Sequence, residues 1–295
     1  MQVKKVLVTG GNGQLGLSLA KNSISFPALN IIPADIEEMD ISRAEQVHEF
    51  YRETMPGLVV NCAAYTAVDR AEDDRETAFG VNKTGPANIA SACLEYSIPL
   101  IHVSTDYVFS GKGENPCREN DITDPVTVYG KSKLEGENEI IRSGVNGIII
   151  RTSWLYSEFG QNFVKSMVNL GKTKKEIGVV SDQTGSPTYA GDLAMAILNI
   201  AEKFFAYLEN TSPAEIFHYS NRGVCSWKDL ASLVMQEYGL NCRVRPVSTS
   251  EFPRRAPRPA YSVLDTNKIR NIFKLEIPLW EESLKKCIAN IKSEN

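Results

Sequence analysis

A tyrosine and a lysine stand four positions apart, at Tyr129 and Lys133, near the start of a segment with a helical pattern. Residues four apart lie on one face of a helix, so the ammonium is expected one turn behind the phenol. An ammonium beside a phenol favours the phenolate and lowers its pKa toward working pH. Thr105 follows a buried strand pattern, and its hydroxyl can hold the oxygen that Tyr129 protonates. The three residues predict acid catalysis, although a Tyr/Lys pair at helical spacing often only lines a surface.

A glycine-rich turn near the start of the chain is the second feature that could take part in chemistry. Gly10, Gly13 and Gly16 follow the apolar run Val6–Thr9 and precede a helical pattern. Glycines placed between a strand and a helix let the backbone turn tightly and approach a pyrophosphate at the helix N-terminus. The predicted cofactor contacts in this turn are Gly10, Asn12, Gly13, Gln14 and Leu15.

Asp35 ends the second predicted strand, near the offset expected for a carboxylate that accepts the adenosine ribose hydroxyls of a dinucleotide. A carboxylate there repels a 2′-phosphate, and the next residues are Ile36, Glu37 and Glu38 rather than an arginine. The predicted cofactor is therefore NADH or NADPH, with NADH bound at least as well as NADPH.

The elements that position these residues alternate along the first half of the chain. The predicted strands are Val6–Thr9, Ile31–Ala34, Leu58–Asn61, Leu100–Ser104 and Gly147–Thr152. The predicted helices between them are Gln14–Asn22, Ser42–Met55 (with Ser42 as cap and Glu45 three residues on), Asp74–Glu95 and Val128–Ser143. This alternation predicts an α/β fold with a Rossmann-type, doubly wound parallel sheet.

Beyond Thr152 the alternation stops, which indicates a smaller α/β C-terminal substrate domain packed against the sheet. Helices are predicted at Gly160–Gly171, Ala190–Leu208, Ser226–Tyr238 and Leu279–Ile291, and Ile216–Tyr219 could add a strand. The expected division is residues 1–152 plus 189–220 for the dinucleotide-binding domain, and 153–188 plus 221–295 for the substrate-binding domain.

Composition excludes several classes of protein. The net charge of −4 argues against a nucleic-acid surface, and no apolar run has the length of a membrane helix. The start of the chain lacks a signal-peptide pattern, and the six cysteines form no CxxC pair. We therefore expect a reduced cytoplasmic protein with no metal site, no membrane contact and no nucleic-acid partner.

Longer stretches resemble one family of the extended short-chain dehydrogenase/reductases, the dTDP-4-dehydrorhamnose reductases. The matching stretches run in order along the chain: Gly13–Gly16, Asn61–Glu72, Val81–Asn82, Ser104–Gly111, Tyr129–Glu135, Arg151–Tyr156, Asn162–Phe163, Ser181–Thr188 and Arg255–Asp265. The resemblance implies NAD(P)H-dependent reduction of the C4 carbonyl of a dTDP-sugar, with Tyr129 as proton donor and Thr105 and Lys133 as its partners. A homodimer is compatible with this resemblance.

The same resemblance implies roles for further residues. Ala63, Ala64 and Thr66 would line the cofactor, and Asp40 and Ile41 would hold the adenine. The implied substrate contacts are Val68, Thr105, Asp106, Tyr107, Trp154, Asn162, Gln183 and Arg255. Arginine forks at Arg254, Arg255 and Arg258 suit a diphosphate.

Two alternatives stay open. The chain could be a reductase or epimerase of another nucleotide sugar, or it could resemble the regulatory subunit of methionine adenosyltransferase, which binds a partner enzyme. Dehydration is disfavoured, because Tyr107 stands where sugar-nucleotide dehydratases carry a glutamate. The retained Thr105, Tyr129 and Lys133 favour catalysis over partner binding.

Overall fold

The computed structural model describes residues 3–293 as strands and helices that alternate through the first half of the chain. The strands are β1 Lys4–Thr9, β2 Leu29–Ala34, β3 Leu58–Asn61, β4 Leu100–Thr105, β5 Gly147–Thr152, β6 Leu155–Tyr156, β7 Glu176–Val180, β8 Thr184–Gly185, β9 Thr188–Tyr189, β10 Glu215–Tyr219, β11 Cys225–Ser226 and β12 Arg243–Val247. The helices are α1 Gln14–Asn22, α2 Ala44–Thr54, α3 Val68–Ala71, α4 Arg75–Phe79, α5 Gly85–Glu95, α6 Val128–Ser143, α7 Phe163–Thr173, α8 Ala190–Lys203, α9 Phe205–Asn210, α10 Trp227–Tyr238, α11 Asn267–Phe273 and α12 Trp280–Ser293.

A parallel sheet organises the chain, with its described strands in the order β10-β5-β4-β3-β1-β2. Each neighbouring pair is parallel, including β10 with β5. The predicted Rossmann-type fold is confirmed, and the further strand expected near Ile216 is the edge strand β10. Because β1 lies between β2 and β3, the strand order reverses at β1, and α/β sheets bind ligands in the crevice that opens there.

The sheet is buried on both faces because its strands are apolar at consecutive positions. Val6 and Val8 of β1 pack with Leu15 and Leu19 of α1 and with much of α8. Leu7 points the other way and packs with residues of α2 and α5. Alternating side chains thus enter two helical layers, as the continuous apolar pattern predicts.

A second apolar cluster lies outside the sheet. It joins residues of α7, β7, α10 and α12, among them Val164, Ile177, Leu230 and Leu284. Helix α11 packs instead with the sheet, through Ile269 and Phe273. The predicted division into two domains stays a prediction, with α11 on the sheet side of this packing.

The predicted cap of the second helix is wrong. Helix α2 begins at Ala44 rather than Ser42, and Arg43 occupies the capping position. The hydroxyl of Ser42 donates instead to Asp40 Oδ1 at 2.7 Å, and Glu45 lies in the first turn. A nearby carboxylate therefore binds the hydroxyl that the capping pattern needed.

The long helix predicted over Asp74–Glu95 contains a π-helical turn at Gly80–Thr84, between α4 and α5. Asn82 in this turn accepts from Tyr65 N at 2.8 Å and donates to Ser132 Oγ at 3.0 Å. Such bulges are frequent at functional sites. Here the bulge links the segment after β3 to helix α6.

Other differences lie after Thr152. The helix predicted over Ala190–Leu208 ends at Lys203, and α9 follows from Phe205. Strands β7 and β12, which pair in parallel, were not predicted. Within residues 3–293 no helix is long and apolar enough to cross a membrane.

Candidate active site

The glycine turn after β1 has the close backbone approach that a dinucleotide requires. Gly10 has a φ of +66°, and a Cβ on it would come within 2.8 Å of Ala63 N. Gly13 N donates to Gly10 O at 3.0 Å, and α1 begins at the next residue, Gln14. Gly13 has no side chain to cap the first turn, so the N–H groups there stay available to an anion. The turn fits a pyrophosphate.

Asp35 lies beside this turn, as predicted. Its Oδ2 accepts from Asn12 N at 2.9 Å and its Oδ1 accepts from Ile36 N at 2.8 Å. The two backbone bonds fix the carboxylate at the end of β2, next to the crevice. It is thereby held where a ribose hydroxyl of a bound dinucleotide can donate to it.

Asp40 and Ile41, which the resemblance assigns to the adenine, lie further along the same edge. Asp40 Oδ1 accepts from Ser42 N at 2.9 Å, and Asp40 Oδ2 lies 3.5 Å from Arg43 Nε. Ile41 is buried, and its carbonyl accepts from Asn88 Nδ2 at 2.9 Å. These contacts hold the pair in place after β2, and the adenine contact stays a prediction.

Ala63, Ala64 and Thr66 follow β3 on the other side of the crevice. Ala63 N donates to Asn61 Oδ1 at 3.2 Å and borders Gly10. Ala63 and Ala64 are half-buried, and Thr66 is exposed. The structure therefore brings Ala63 against the glycine turn, and the cofactor contacts of Ala64 and Thr66 stay predictions.

Thr105, Tyr129 and Lys133 come together at the carboxyl end of β4. Strand β4 ends at Thr105, one residue later than predicted. Helix α6 is capped by Thr127, whose Oγ1 accepts from Gly130 N at 3.0 Å, so Tyr129 lies in its first turn. Tyr129 lies close enough to Thr105 for its hydroxyl to lower the pKa of the phenol, and Lys133 Nζ donates to Val103 O at 2.8 Å. The predicted constellation is present and buried.

The electrostatics of the pair differ from the expectation. Burial raises the pKa of Tyr129 to about 12, against the hydrogen bond with Thr105. Burial also lowers the pKa of Lys133 to about 8, against the attraction of Glu137 and Cys62. The expected lowering of the Tyr129 pKa is therefore wrong, because loss of water around the phenol dominates. A phenol that keeps its proton at neutral pH suits a proton donor.

Two predicted substrate contacts, Tyr107 and Val68, pack with the ring of Tyr129. The rings of Tyr107 and Tyr129 meet edge to face with centroids 5.4 Å apart, and Val68 packs in the same cluster. Asp106 Oδ1 accepts from Thr105 Oγ1 at 2.9 Å. Burial raises the pKa of Asp106 to about 7, against the hydrogen bonds it accepts. An acid that titrates near neutrality thus adjoins the threonine.

Trp154 adopts a strained backbone conformation close to the site, with a φ of +49°. Its ring stacks on Trp227 with centroids 3.6 Å apart and planes 6° apart, and its Nε1 donates to Ser262 Oγ at 3.0 Å. Strain of this kind at a bulky residue persists only where the surroundings hold it, and it clusters at ligand sites. The half-buried ring can offer an apolar face to a ligand.

Asn162 contacts the cofactor turn. Its Oδ1 accepts from Lys165 N at 3.1 Å and so caps α7, and its Nδ2 donates to Gln14 Oε1 at 2.9 Å. This cap explains why α7 begins at Phe163, after the predicted start at Gly160. The predicted cofactor residue Gln14 and the predicted substrate residue Asn162 are therefore bonded to each other.

Gln183 and Arg255 are engaged by protein groups. Gln183 is buried and donates to Thr249 Oγ1 at 3.0 Å. Arg255 forms an ion pair with Asp73, and Arg258 forms one with Asp69 at 2.7 Å. Because Asp69 lies on α3, these pairs bring the arginine segment over the residues that follow β3.

Several buried polar residues behind Lys133 were missed by reasoning from the sequence. Arg151 Nε and Nη2 bind the two oxygens of Glu137 at 3.0 and 2.6 Å, and Ser104 Oγ also donates to Glu137. His102 lies 3.5 Å from Lys133 Nζ and 2.9 Å from the amide of Asn61. The signal in the sequence that could have found them is the presence of polar residues inside otherwise apolar strands. Among the described residues no cluster of three or more His, Cys, Asp or Glu could hold a metal ion.

Comparison with known proteins gives consistent matches along the chain. The family model described as the RmlD substrate binding domain matches residues 4–293. The chain is 41% identical to the spore coat polysaccharide biosynthesis protein SpsK of Bacillus subtilis, over 98% of each chain. It is 38% identical to the dTDP-4-dehydrorhamnose reductase of Aggregatibacter actinomycetemcomitans, over 97% of this chain and 98% of that relative. The structure of a dTDP-4-dehydrorhamnose reductase from Bacillus anthracis in complex with NADP superposes with a TM-score of 0.89 at 39% identity, covering 98% of this chain and 100% of that one.

Proposed function

Because the chain belongs to the RmlD substrate binding domain family, we propose that it reduces dTDP-4-dehydro-L-rhamnose to dTDP-L-rhamnose with NADH or NADPH. The observation that carries the proposal is the cluster of Thr105, Tyr129 and Lys133 at the carboxyl end of β4, on the same edge of the parallel sheet as the glycine turn after β1. Such a cluster serves carbonyl reduction, and the family supplies the class of sugar.

The residues of the chain account for the proton chemistry. When bound, NADH or NADPH supplies the hydride for the C4 carbonyl. Thr105 holds the C4 oxygen, and Tyr129 donates its phenolic proton to it, so that the O–H bond of Tyr129 breaks as the sugar O–H bond forms. Lys133 supports the resulting phenolate with its ammonium charge and contacts the nicotinamide ribose.

The cofactor site follows from the residues around the crevice. The turn Gly10–Gly16 takes the pyrophosphate, and Asp35 accepts the ribose hydroxyls. Asp40 and Ile41 border the adenine, and Ala63, Ala64 and Thr66 line the opposite wall. Because the Asp35 carboxylate repels a 2′-phosphate, the site binds NADH at least as well as NADPH.

On the substrate side, Tyr107 and Val68 pack around the phenol, and Asp106 borders Thr105. Trp154 offers its ring to the sugar or the nucleotide. Arg255 exchanges its ion pair with Asp73 for the diphosphate, which is within the capacity of an arginine fork. Asn162 and Gln183 complete the wall. The two-domain division, a cytoplasmic location and a homodimer belong to the same proposal.

Turnover of purified protein separates this function from its alternatives. The protein is supplied with NADH or NADPH and either dTDP-4-dehydro-L-rhamnose or a UDP-linked 4-keto sugar, and the product is identified by NMR. Formation of dTDP-L-rhamnose supports the proposal. Turnover of the UDP-linked sugar alone would establish another reductase. Cofactor binding without turnover, together with co-purification of a methionine adenosyltransferase, would establish the regulatory role.

A further inference from the structure

A buried hydrogen-bond chain runs from the first strand to Lys133. Thr9 Oγ1 donates to Asn61 Oδ1 at 2.6 Å, and the Asn61 amide lies 2.9 Å from His102 Nδ1. His102 Nε2 in turn lies 3.5 Å from Lys133 Nζ. All four side chains are buried. The chain crosses β1, β3 and β4 and ends on α6.

The backbone fixes the orientation of the Asn61 amide. Ala63 N–H can only donate, and it lies 3.2 Å from Asn61 Oδ1. The oxygen therefore faces Ala63 and Thr9, and the Asn61 NH₂ group faces His102. An NH₂ group can only donate, so His102 Nδ1 must accept and carries no proton.

The tautomer of His102 follows from this. Burial lowers the pKa of His102 well below its usual value, and the charge of Lys133 lowers it further, so the ring is neutral. A neutral ring with a bare Nδ1 carries its proton on Nε2. That N–H points at Lys133, where an ammonium offers a second donor rather than an acceptor. The separation of 3.5 Å, against 2.8 Å from Lys133 to Val103 O, fits two donors that face each other.

We propose that Asn61 and His102 are positioning residues that aim an N–H group at Lys133 and so make its ammonium a stronger acid. This inference rests on the proposed function for the role of Lys133 at the cofactor ribose. The pair acts through Lys133 and has no contact of its own with substrate in the proposal. Its consequence is that Lys133 loses its charge at a lower pH than burial alone would set.

Other titratable groups lie around Lys133, and two of them favour its charged form. Glu137 on the same helix attracts the ammonium, but its two oxygens bind Arg151 of β5. Cys62 after β3 also favours the charged amine, and Tyr129 lies one turn before Lys133. On the outer side of α6, Lys83 pairs with Glu135 and Glu139. Burial and the His102 N–H therefore favour loss of the Lys133 proton. The Glu137 carboxylate favours the ammonium, but it is already bound to Arg151.

The tautomer can be measured directly by nitrogen NMR of protein labelled with ¹⁵N-histidine. The chain has three histidines, and loss of one signal in His102→Gln assigns the ring. We expect a protonated Nε2 and a bare Nδ1 at neutral pH. A proton on Nδ1, or a doubly protonated ring, overturns the inference. This measurement needs only the native protein once the signal is assigned.

The effect on Lys133 is read from the affinity for NADH as a function of pH. Affinity of the native protein should fall as the pH rises through about 8, where Lys133 loses its charge, and Lys133→Met should show no such step. In His102→Gln the side-chain amide can turn its oxygen to Lys133, so the step should move up by about one pH unit. A step at the same pH in His102→Gln as in the native protein overturns the inference.

Thr9→Val is the matched control. It removes the Thr9 hydroxyl from Asn61 Oδ1, while Ala63 N still holds that oxygen, so the step should stay where it is. Neither measurement uses a sugar nucleotide. A native protein that binds NADH with the expected step but reduces no keto-sugar contradicts the proposed function and supports this inference. A protein that turns over the dTDP-sugar but carries the His102 proton on Nδ1 supports the proposed function and contradicts this inference.

Discussion

Gly10 and Ala63 are packed so closely that a methyl group on Gly10 would come within 2.8 Å of the Ala63 backbone nitrogen. Gly10 also has a φ of +66°. The contact joins the ends of β1 and β3, which flank the crevice of the parallel sheet. The backbone of the cofactor turn is therefore determined by the strand opposite as well as by its own sequence.

Replacing Gly10 by alanine should weaken cofactor binding. The left-handed conformation costs an alanine about 1–2 kcal/mol, and the clash must also displace the turn or β3. We expect a lower free energy of unfolding by at least that amount and NADH affinity reduced about tenfold or more. Urea unfolding and NADH titration measure both. Gly80→Ala is the control, because a Cβ at Gly80 meets nothing within 4 Å. Native NADH affinity in Gly10→Ala would remove the turn from the cofactor site.

Asp35 should determine the preference between the two cofactors. Asp35→Asn keeps an oxygen for the Asn12 N–H but removes the charge that repels a 2′-phosphate. The ratio of the KM for NADPH to the KM for NADH should fall about tenfold, as expected for loss of one close like-charge contact. Steady-state kinetics with both cofactors gives the ratio. Glu37→Gln removes an exposed charge two residues away and should leave the ratio unchanged. An unchanged ratio in Asp35→Asn would place the ribose elsewhere.

Asp106 should make stability depend on pH. Its pKa is raised from 3.8 to about 7, so between those values the folded protein holds a proton that the unfolded chain has lost. This contribution to the free energy of unfolding therefore falls as the pH rises through that window. The free energy of unfolding of Asp106→Asn, relative to that of the native protein, should therefore rise by about 2–4 kcal/mol from the lower to the upper end of this pH window. Urea unfolding across the window measures the difference, and Glu49→Gln, an exposed position, is the control. A constant difference would show that the Asp106 carboxyl has the same pKa in the folded protein as in the unfolded chain.

Gly185 should affect the substrate side alone. A Cβ on Gly185 would come within 2.5 Å of the Trp154 ring. That ring is held by stacking on Trp227 and by its hydrogen bond to Ser262. Gly185→Ala should shift Trp154 and raise the KM for the sugar nucleotide about tenfold, with NADH affinity unchanged. Gly113→Ala serves as control, because a Cβ there would make only an ordinary contact, with Asn115 O at 3.9 Å. An unchanged KM would mean that the Trp154 ring does not contact the substrate.

The fold could be predicted because its signals are local. A continuous apolar run such as Ile148–Ile150 is typical of a buried parallel strand, and the glycine turn after β1 is typical of a dinucleotide site. Four-residue spacing likewise places Lys133 behind Tyr129. Strand β12 could not be predicted in the same way. It contains Pro246 and exposed arginines, and it is defined by pairing with β7, far away in the sequence.

The electrostatics of the site were the least predictable part. The sequence places a lysine near a tyrosine, but the pKa of Tyr129 is governed by burial, which depends on every element packed around it. The Arg151–Glu137 pair likewise arises from a contact between β5 and helix α6, and the contact of His102 with Asn61 joins β4 to β3. Spacing along one helix carries no information about such contacts.

In the proposed reaction Tyr129 donates the proton to the reduced sugar. The most direct measurement is the turnover of dTDP-4-dehydro-L-rhamnose by the native protein and by Tyr129→Phe, with the dissociation constant for NADH measured on both. General acid catalysis is worth about 10²–10⁴ in rate. We predict a kcat for Tyr129→Phe lower by about that factor, with the NADH dissociation constant nearly unchanged. A near-native kcat in Tyr129→Phe would show that Tyr129 is not the proton donor.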